Sequence, residues 1–230
     1  TQSLVLCPTR ELADQVANEL RRLARFLPNI KILTLCGGVP FSIQRDSLIH
    51  AAHIIVATPG RLLDHLNKQT VTLADVKTLV LDEADRMLDM GFFDDISDII
   101  SQMSTQRQTL LFSATWPDEI AKISRKIQQD PVTIEINSPD ELPAVEQQFY
   151  EISRYGKLGL LQKLLSHHQP NSCVVFCNTK RDCQDVYEAL TESNQSVLAL
   201  HGDMEQKERD QTLIRFANGS CRVLDRKSVV

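Results

Sequence analysis

Short apolar runs rich in β-branched residues recur along the chain, and most of them are followed by helix-like stretches. In order they are Ser3 to Cys7, Lys31 to Cys36, His53 to Ala57, Thr78 to Leu81, Thr109 to Phe112, Cys173 to Phe176 and Val197 to Leu200. Strands that are apolar on both faces are typical of parallel sheets covered by helices. The pattern therefore predicts an α/β fold with parallel sheets flanked by helices.

The stretch after Arg10 has the period of an amphipathic helix. One face carries leucine and valine at spacings of three and four residues, and the arginines fall elsewhere: Leu12, Val16, Leu20 and Leu23 against Arg21, Arg22 and Arg25. We therefore predict a helix that crosses over between two parallel strands.

A domain boundary is predicted near the middle of the chain. Between Asn137 and Ala144 the sequence has two prolines and no periodicity, which is typical of a linker. Beyond it the alternation of strand-like and helix-like segments restarts. We predict a first domain over residues 1–136, a linker over 137–145 and a second domain of similar build over 146–224.

Composition narrows the class of protein. The chain is 42% hydrophobic and 24% charged, and no stretch approaches the roughly 20 apolar residues that span a bilayer. We expect a cytoplasmic protein without a membrane partner. The net charge of −5 argues against a protein that coats nucleic acid by bulk electrostatics, so any such contact should be local.

The six cysteines are expected to be small buried hydrophobes. Most lie inside apolar runs, and Cys173 and Cys177 lack the C-x2-C spacing of a zinc site. We expect neither a metal–cysteine site nor a disulfide.

The residues that follow the predicted strands are unusually polar. Ligands bind beyond the carboxyl ends of strands in open parallel sheets, so these segments should share one edge. Ser113-Ala114-Thr115 alone, or Gly37-Gly38 alone, is ordinary turn chemistry. Asp82-Glu83 is more informative, because placing two adjacent carboxylates at the end of an apolar strand costs free energy unless a cation or hydrogen-bond donors interact with them. That arrangement is the build of a Walker-B element.

Taken together and in order, these segments resemble the DEAD-box helicase family, whose name spells Asp82-Glu83-Ala84-Asp85. The resemblance covers Thr1 to Leu224. It implies two RecA-like domains and an ATP-dependent RNA helicase, in which RNA-stimulated ATP hydrolysis is coupled to local duplex unwinding. ATP and Mg²⁺ are the implied cofactors, and RNA is the implied partner.

The resemblance also implies roles for individual residues. Asp82 would hold Mg²⁺ through water, and Glu83 would be the general base. Asp85 would bridge to Ser113 and Thr115, linking the nucleotide site to domain closure; the alternative is a local hydrogen bond that only stabilises the fold.

Three segments of the first domain resemble those that grip one RNA strand by its phosphates and sugars, namely Pro8-Thr9-Arg10-Glu11, Gly37-Gly38 and Thr58-Pro59-Gly60-Arg61. A structural salt bridge is the alternative for Arg10 and for Arg61. In the second domain the RNA-facing residues would be Thr179, Gly202 and Asp203, and the interdomain residues Gln206 and Arg209. Thr179 could equally be a helix N-cap, with Asp182 three residues on.

The sequence departs from the family in two ways. It has no G-x-x-x-x-G-K-[ST] phosphate loop, which the family places before this segment, and it lacks the later arginine-containing motif. We therefore expect a fragment with both domains incomplete and without ATPase activity. Residues 225–230 replace an expected Ala-Thr-Asp motif, and we expect this tail to be non-native, read from a sequencing adapter.

Two other functions stay open. One is a truncated clamp that binds RNA without turnover, and the other is a DNA-directed relative of the same superfamily. A finer resemblance of Ser113-Ala114-Thr115-Trp116-Pro117 and Phe176-Cys177-Asn178-Thr179 to one bacterial member implies large-subunit ribosomal RNA as the target, during ribosome assembly.

Overall fold

A computed structural model describes residues 1–136, 145–152 and 156–227. The chain divides into two compact units, Thr1–Ile136 and Asn137–Val230, which are described separately. The division falls where the predicted linker begins. Nearly all of that linker lies outside the described residues, so the domain limits stay a prediction.

The first unit alternates strands and helices. Its strands are β1 Ser3–Leu6, β2 Ile32–Leu35, β3 Ile54–Ala57, β4 Thr78–Leu81 and β5 Gln108–Leu111. Its helices are α1 Arg10–Leu23, α2 Phe41–Leu48, α3 Pro59–Asn67, α4 Ala84–Asp89, α5 Phe93–Ser101 and α6 Asp118–Ile127, and a 3-10 turn covers Ala24–Phe26.

The five strands form one parallel sheet in the order β2-β3-β1-β4-β5. The last residues of all five strands are aligned by the pairing register: Leu35, Ala57, Leu6, Leu81 and Leu111. Every loop that follows a strand therefore starts at the same level of the same edge.

Apolar side chains on both faces of this sheet are covered by helices. Val5 and Val56 pack with the buried Ala13 and Ala17 of α1, while Leu4 and its neighbours pack into a larger cluster on the other face. This confirms the prediction of two-sided strands. One detail of the predicted helix is wrong, because Leu23 is 78% exposed where α1 gives way to the 3-10 turn.

The second unit contains a parallel sheet in the order β6-β8-β7. Its described strands are β6 Cys173–Cys177, β7 Val197–Leu200 and β8 Val223–Lys227, and its described helices are α7 Lys157–His168, α8 Lys180–Glu192 and α9 Gln206–Ala217. Central strand β8 thus contains three residues of the tail that the sequence predicts to be non-native.

The cysteines behave as small hydrophobes. All six are free thiols, and only Cys173 is not fully buried. Burial raises the pKa of Cys7, Cys177 and Cys183 to about 12, so these thiols stay protonated and unreactive at neutral pH.

Among the described residues, no helix has the length and apolar character needed to cross a membrane.

Candidate nucleotide and nucleic-acid site

The polar segments of the first unit meet at the carboxyl edge of the sheet. Backbone ladder bonds continue one residue past the strands: Asp82 N donates to Leu6 O at 3.0 Å, and Thr58 N donates to Leu35 O at 3.1 Å. The side chains after β1, β3 and β4 therefore emerge from neighbouring positions on a rigid frame, as the sequence predicts for a shared binding edge.

Asp82 and Glu83 follow β4, the strand next to the centre of the sheet. Glu83 N donates to Asp82 Oδ1 at 3.1 Å, and Glu83 has φ 50° and ψ 54°. A left-handed conformation is uncommon for a residue with a side chain, and such strain clusters at functional sites. Arg86 Nη1 lies 3.3 Å from Glu83 Oε2, so the carboxylate already has a cationic neighbour.

The donor chemistry here fits a hydrated Mg²⁺ ion. Mg²⁺ usually keeps several waters and is held by one or two carboxylates together with substrate phosphates. Asp82 and Glu83 are each partly exposed at the edge, so both carboxylates can be reached from solvent.

Asp85 ties α4 to the loop after β5. Its Oδ2 accepts from Thr115 N at 2.9 Å and from Thr115 Oγ1 at 2.7 Å, and its own backbone N–H donates to Ser113 Oγ at 3.2 Å. Burial alone would raise the pKa of Asp85, but hydrogen bonds from Thr115, Arg86 and Ser113 outweigh it and lower the pKa. The bridge expected from the resemblance is present; its role beyond stabilising this loop stays a prediction.

The segment after β1 caps a helix. Thr9 is the N-cap of α1, and its Oγ1 accepts from Leu12 N at 3.3 Å. Arg10 Nε lies 3.7 Å from Asp14 Oδ2, so the alternative salt bridge is formed. Pro8 is buried and Glu11 is exposed. A structural role for this segment is thus observed, and its RNA contacts stay a prediction.

The two glycines after β2 are exposed in a turn. Gly38 has φ 80°, a conformation that only glycine adopts without strain. Nothing lies within 4 Å of where a Cβ on Gly37 would be, so space alone does not require glycine there.

Arg61 is held by hydrogen bonds more than by a salt bridge. Pro59 is the first residue of α3, and Arg61 reaches back to donate to Val39 O at 2.8 Å and Gln44 Oε1 at 2.9 Å. Its distance to Asp64 Oδ2 is 3.9 Å, at the limit of an ion pair. The salt bridge proposed as the alternative for Arg61 is therefore the weaker part of its anchoring. Gly60 is exposed beside it, and Thr58 is the N-cap.

In the second unit, Thr179 is the N-cap of α8. Its Oγ1 accepts from Asp182 N at 3.0 Å, and Asp182 Oδ2 accepts from Thr179 N at 3.2 Å, which together form a capping box. The predicted N-cap is confirmed. An RNA contact by the same hydroxyl stays a prediction.

The turn after β7 carries Gly202 and Asp203, both exposed. Asp203 pairs with Lys180, and the hydrogen bond from Lys180 lowers the pKa of the Asp203 carboxyl. Both lie beyond strand ends, near Thr179. Lys180 is therefore a cation at this edge, and the sequence alone did not indicate it.

The predicted interdomain residues both lie on α9. Gln206 Nε2 donates to Asp210 Oδ1 at 2.9 Å. Arg209 Nε is buried without a hydrogen-bond partner among the residues that the structure describes. Their interdomain role stays a prediction.

Two polar residues that the sequence reading did not assign are buried behind the first unit's edge. Gln44 is 5% exposed and His65 is fully buried; Gln44 accepts a hydrogen bond from Arg61 of a predicted RNA-binding segment, and His65 contacts Gln44. One signal was available: Phe41, Gln44 and Leu48 have the spacing of one helix face, which puts a glutamine where an apolar residue is expected. His65 carried no such signal.

Comparison with known proteins agrees with this geometry. The model of the DEAD/DEAH box helicase family matches residues 1–123, and that of the helicase conserved C-terminal domain matches residues 156–227. The chain belongs to the DEAD/DEAH box helicase family. The resemblance found in the sequence is thereby confirmed.

Curated relatives of this DEAD-box chain are considerably longer. It is 72% identical over 224 residues to the ATP-dependent RNA helicase DbpA of Escherichia coli K12, a match that covers 97% of this chain and 49% of that protein. It is 38% identical to the DEAD-box ATP-dependent RNA helicase CshA of Geobacillus kaustophilus, covering 97% of this chain and 48% of that protein. The chain therefore spans about half the length of these relatives.

Solved structures of the family share the fold. Dbp5 of Saccharomyces cerevisiae, bound to RNA and ADP BeF3, matches with a TM-score of 0.82 and 28% identity over 98% of this chain and 57% of that one. A DEAD box protein of Methanococcus jannaschii matches with a TM-score of 0.56 and 36% identity over 98% of this chain and 61% of that one. The predicted RecA-like architecture, with parallel sheets flanked by helices, is confirmed.

Proposed function

We propose that this chain is part of an ATP-dependent RNA helicase, in which RNA-stimulated ATP hydrolysis is coupled to local unwinding of a duplex. One observation carries the proposal. The five strand ends of the first unit are in register, which places Asp82 and Glu83 on the same edge as three segments suited to holding a nucleic-acid backbone. Family membership and the names of the relatives support it.

The nucleotide chemistry assigned here belongs to the residues after β4. Asp82 would hold a Mg²⁺ ion through water, and that ion would neutralise charge on the ATP phosphates. Glu83 would accept the proton of the attacking water. The left-handed backbone of Glu83 supports this role, because residues with side chains that are held in this conformation cluster at functional sites.

The RNA grip would use backbone contacts. Thr9 and Thr58 supply hydroxyls, Gly37 and Gly38 allow close approach, and Arg10, Arg61 and the second unit's Lys180 supply charge near the edges. Contacts with phosphates and 2′-hydroxyls favour RNA over DNA without reading sequence. Large-subunit ribosomal RNA as the target, a role in ribosome assembly and a cytoplasmic location remain parts of this proposal.

The catalytic cycle should require more than these residues. The 230 residues contain no G-x-x-x-x-G-K-[ST] phosphate loop, which normally cradles the ATP phosphates. We therefore assign ATP turnover to the protein encoded by the complete gene, and none to the 230 residues by themselves.

The proposal is tested with Glu83→Gln in the complete protein. The amide cannot accept a proton, so RNA-stimulated ATP turnover should fall by about 10²–10⁴-fold, while binding of ATP and RNA is retained. Glu119→Gln is a matched control, because Glu119 is an exposed carboxylate in the first turn of α6. Turnover of Glu83→Gln close to that of the control would refute the role of Glu83.

The two competing functions are separated in the same assay. Stimulation of ATP turnover by single-stranded RNA, and much less by DNA of the same sequence, supports the helicase proposal. Equal or stronger stimulation by DNA would favour a DNA-directed relative. RNA binding without any turnover in the wild-type protein would favour a clamp.

A further inference from the structure

A buried polar cluster lies directly behind the predicted RNA-binding edge of the first unit. Its centre is the pair Gln44 and His65, whose side chains are in hydrogen-bond contact: His65 Nε2 lies 3.1 Å from Gln44 Oε1. Both residues are buried, although polar side chains in a core are expensive unless every group finds a partner. The cluster therefore needs an account beyond packing.

The hydrogen bonds define the tautomer of His65. Gln44 Oε1 can only accept, so the proton must lie on His65 Nε2. The other ring nitrogen, Nδ1, lies 2.7 Å from Thr70 Oγ1, and the same hydroxyl donates to the backbone carbonyl of His65 at 3.1 Å. Phe41 stacks on the imidazole with ring centroids 4.3 Å apart and an angle of 17° between the planes. The ring is thus fixed at both nitrogens and on one face.

Gln44 connects the fixed His65 ring to the Gly37-Gly38 turn by hydrogen bonds. Its Nε2 donates to Cys36 O at 2.8 Å, just before Gly37. Its Oε1 accepts from Arg61 Nη1 at 2.9 Å, and the same Arg61 nitrogen donates to Val39 O at 2.8 Å, just after Gly38. One glutamine and one arginine therefore hold the carbonyls on either side of the Gly37-Gly38 turn.

The same bonds determine where Arg61 points. Its side chain is 16% exposed and is directed back along α3 to the turn instead of extending into solvent. Two segments that are separate in sequence, the turn at 36–39 and the start of α3, are thereby locked into one surface. His65 holds the Gln44 amide in the orientation in which it bonds both Cys36 O and Arg61.

We propose that Gln44 and His65 are positioning residues that preorganise the Gly37-Gly38 turn and Arg61 for binding the backbone of an RNA strand. The inference rests on the proposed function, because these segments are the ones assigned to RNA. Neither side chain would touch RNA. Their contribution would be to remove the cost of ordering the turn when RNA binds.

The test uses Gln44→Glu, His65→Leu and His65→Gln in the protein encoded by the complete gene. Gln44→Glu keeps the size and the acceptor but removes the N–H that holds Cys36 O. His65→Leu removes the donor to Gln44, whereas the amide of His65→Gln can restore it. Ser124→Ala is the matched control: Ser124 is also a buried polar residue of this unit, bonded to Gln128 Oε1 at 2.7 Å on α6, away from the turn.

The measurement is ATP turnover as a function of the concentration of a single-stranded RNA. Gln44→Glu and His65→Leu should raise the RNA concentration at half-maximal turnover about tenfold, the loss expected for roughly one net hydrogen bond. The maximal rate at saturating RNA should change less than about twofold, since the nucleotide site is intact. His65→Gln and Ser124→Ala should resemble wild type in RNA dependence.

Each outcome decides the inference. If Gln44→Glu and His65→Leu shift the RNA dependence no more than Ser124→Ala, the inference is wrong although the proposed function stands. If both variants lower the maximal rate instead, the pair supports folding or the nucleotide site and the inference is also wrong. If His65→Leu does not fold, Gln44→Glu against Ser124→Ala decides. If wild-type turnover does not respond to RNA, the proposed function itself fails.

Discussion

At the scale of single residues, the fold opposes the ionisation of His65. Burial is the main reason that its pKa lies below the ordinary value of 6.5, and the positive charge of Arg61 adds to the effect. Asp64 acts in the opposite direction, and Lys68 lowers the pKa further. Burial and the neighbouring cations therefore both favour the neutral ring.

The lowered pKa predicts a pH dependence of stability. Below pH 6.5 the unfolded chain protonates His65 before the folded chain does, so the free energy of unfolding should fall as the pH drops from about 7 towards the lower folded pKa. One proton accounts for at most about 1.4 kcal/mol per pH unit. Hydrogen exchange of first-unit peptides at several pH values measures this change in stability, and His65→Gln is the variant that removes the titrating group.

The difference between wild type and His65→Gln is what matters, because other groups also titrate in this range. The two proteins should diverge as the pH falls below about 7, with His65→Gln losing less stability. Parallel curves would contradict the prediction and would mean that His65 titrates alike in both states.

At the scale of elements, the capping box of α8 makes a separable prediction for Thr179. Thr179→Ala removes the acceptor that caps the helix and should cost the second unit about 1 kcal/mol. Asp182→Ala removes the bonds that the Thr179 backbone N–H and hydroxyl donate to its carboxylate, but leaves the Thr179 oxygen that accepts from the backbone of α8, so it should cost less. Hydrogen exchange over α8 gives the local stability of each variant.

Comparison of the two variants distinguishes capping from RNA binding. If the Thr179 hydroxyl also contacts RNA, Thr179→Ala should weaken RNA binding beyond Asp182→Ala, whereas Thr179→Ser should retain both roles. Equal RNA affinity in all three variants would leave Thr179 as a cap alone.

Strand β8 contains a buried carboxylate in the core of the second unit. Asp225 is fully buried in the central strand, paired in register with Val175 and Ala199. Its Oδ1 accepts from Cys177 Sγ at 3.2 Å, but Oδ2 has no hydrogen-bond partner among the described residues. Burial raises the pKa of this carboxyl more than the hydrogen bond from Cys177 lowers it.

We therefore predict that Asp225→Val stabilises the second unit at neutral pH by about 1–3 kcal/mol, the cost of an unsatisfied buried polar group. The gain should shrink as the pH falls towards the ordinary carboxyl range, because the raised pKa lets the folded chain keep the proton. Denaturant unfolding at pH 7 and pH 5 measures the gain and its dependence on pH. A loss of stability in Asp225→Val would contradict the prediction, whereas a gain would agree with a non-native tail.

The sequence predicted elements better than it predicted contacts. All seven strands expected from apolar runs form, within one residue at each end, because a run that is apolar on both faces has few alternatives to a covered parallel strand. The Gln44–His65 pair was not predicted, since it joins residues 21 positions apart that only the folded sheet brings together. Leu23 lies in α1 as the period predicts, but at the last residue of the helix its side chain is exposed.

At the scale of the whole molecule, exposed apolar side chains occur where another strand could pair. Among the described residues β5 pairs only with β4, and Leu110 and Phe112 at its edge are exposed. Further along, Val132, Ile134 and Ile136 alternate with polar residues and are each more than 80% exposed. An exposed apolar strand edge favours association between chains.

The 230 residues expressed by themselves should therefore be poorly soluble and should hydrolyse no ATP above background. Size-exclusion chromatography and an RNA-stimulated ATPase assay measure the two properties. Leu110→Lys, which places a charge on the β5 edge, should raise the soluble fraction. Leu23→Lys is the matched control, since it removes an exposed leucine at the end of α1, away from that edge, and should help less.

The two lysine variants show which surface limits solubility. A larger gain for Leu110→Lys would identify the β5 edge as the surface that associates, whereas equal gains would assign the effect to net hydrophobicity. A monodisperse wild-type chain would contradict the argument from the open edge. RNA-stimulated turnover by that chain would contradict the assignment of catalysis to the complete protein, because ATP phosphates would then be bound without a phosphate loop.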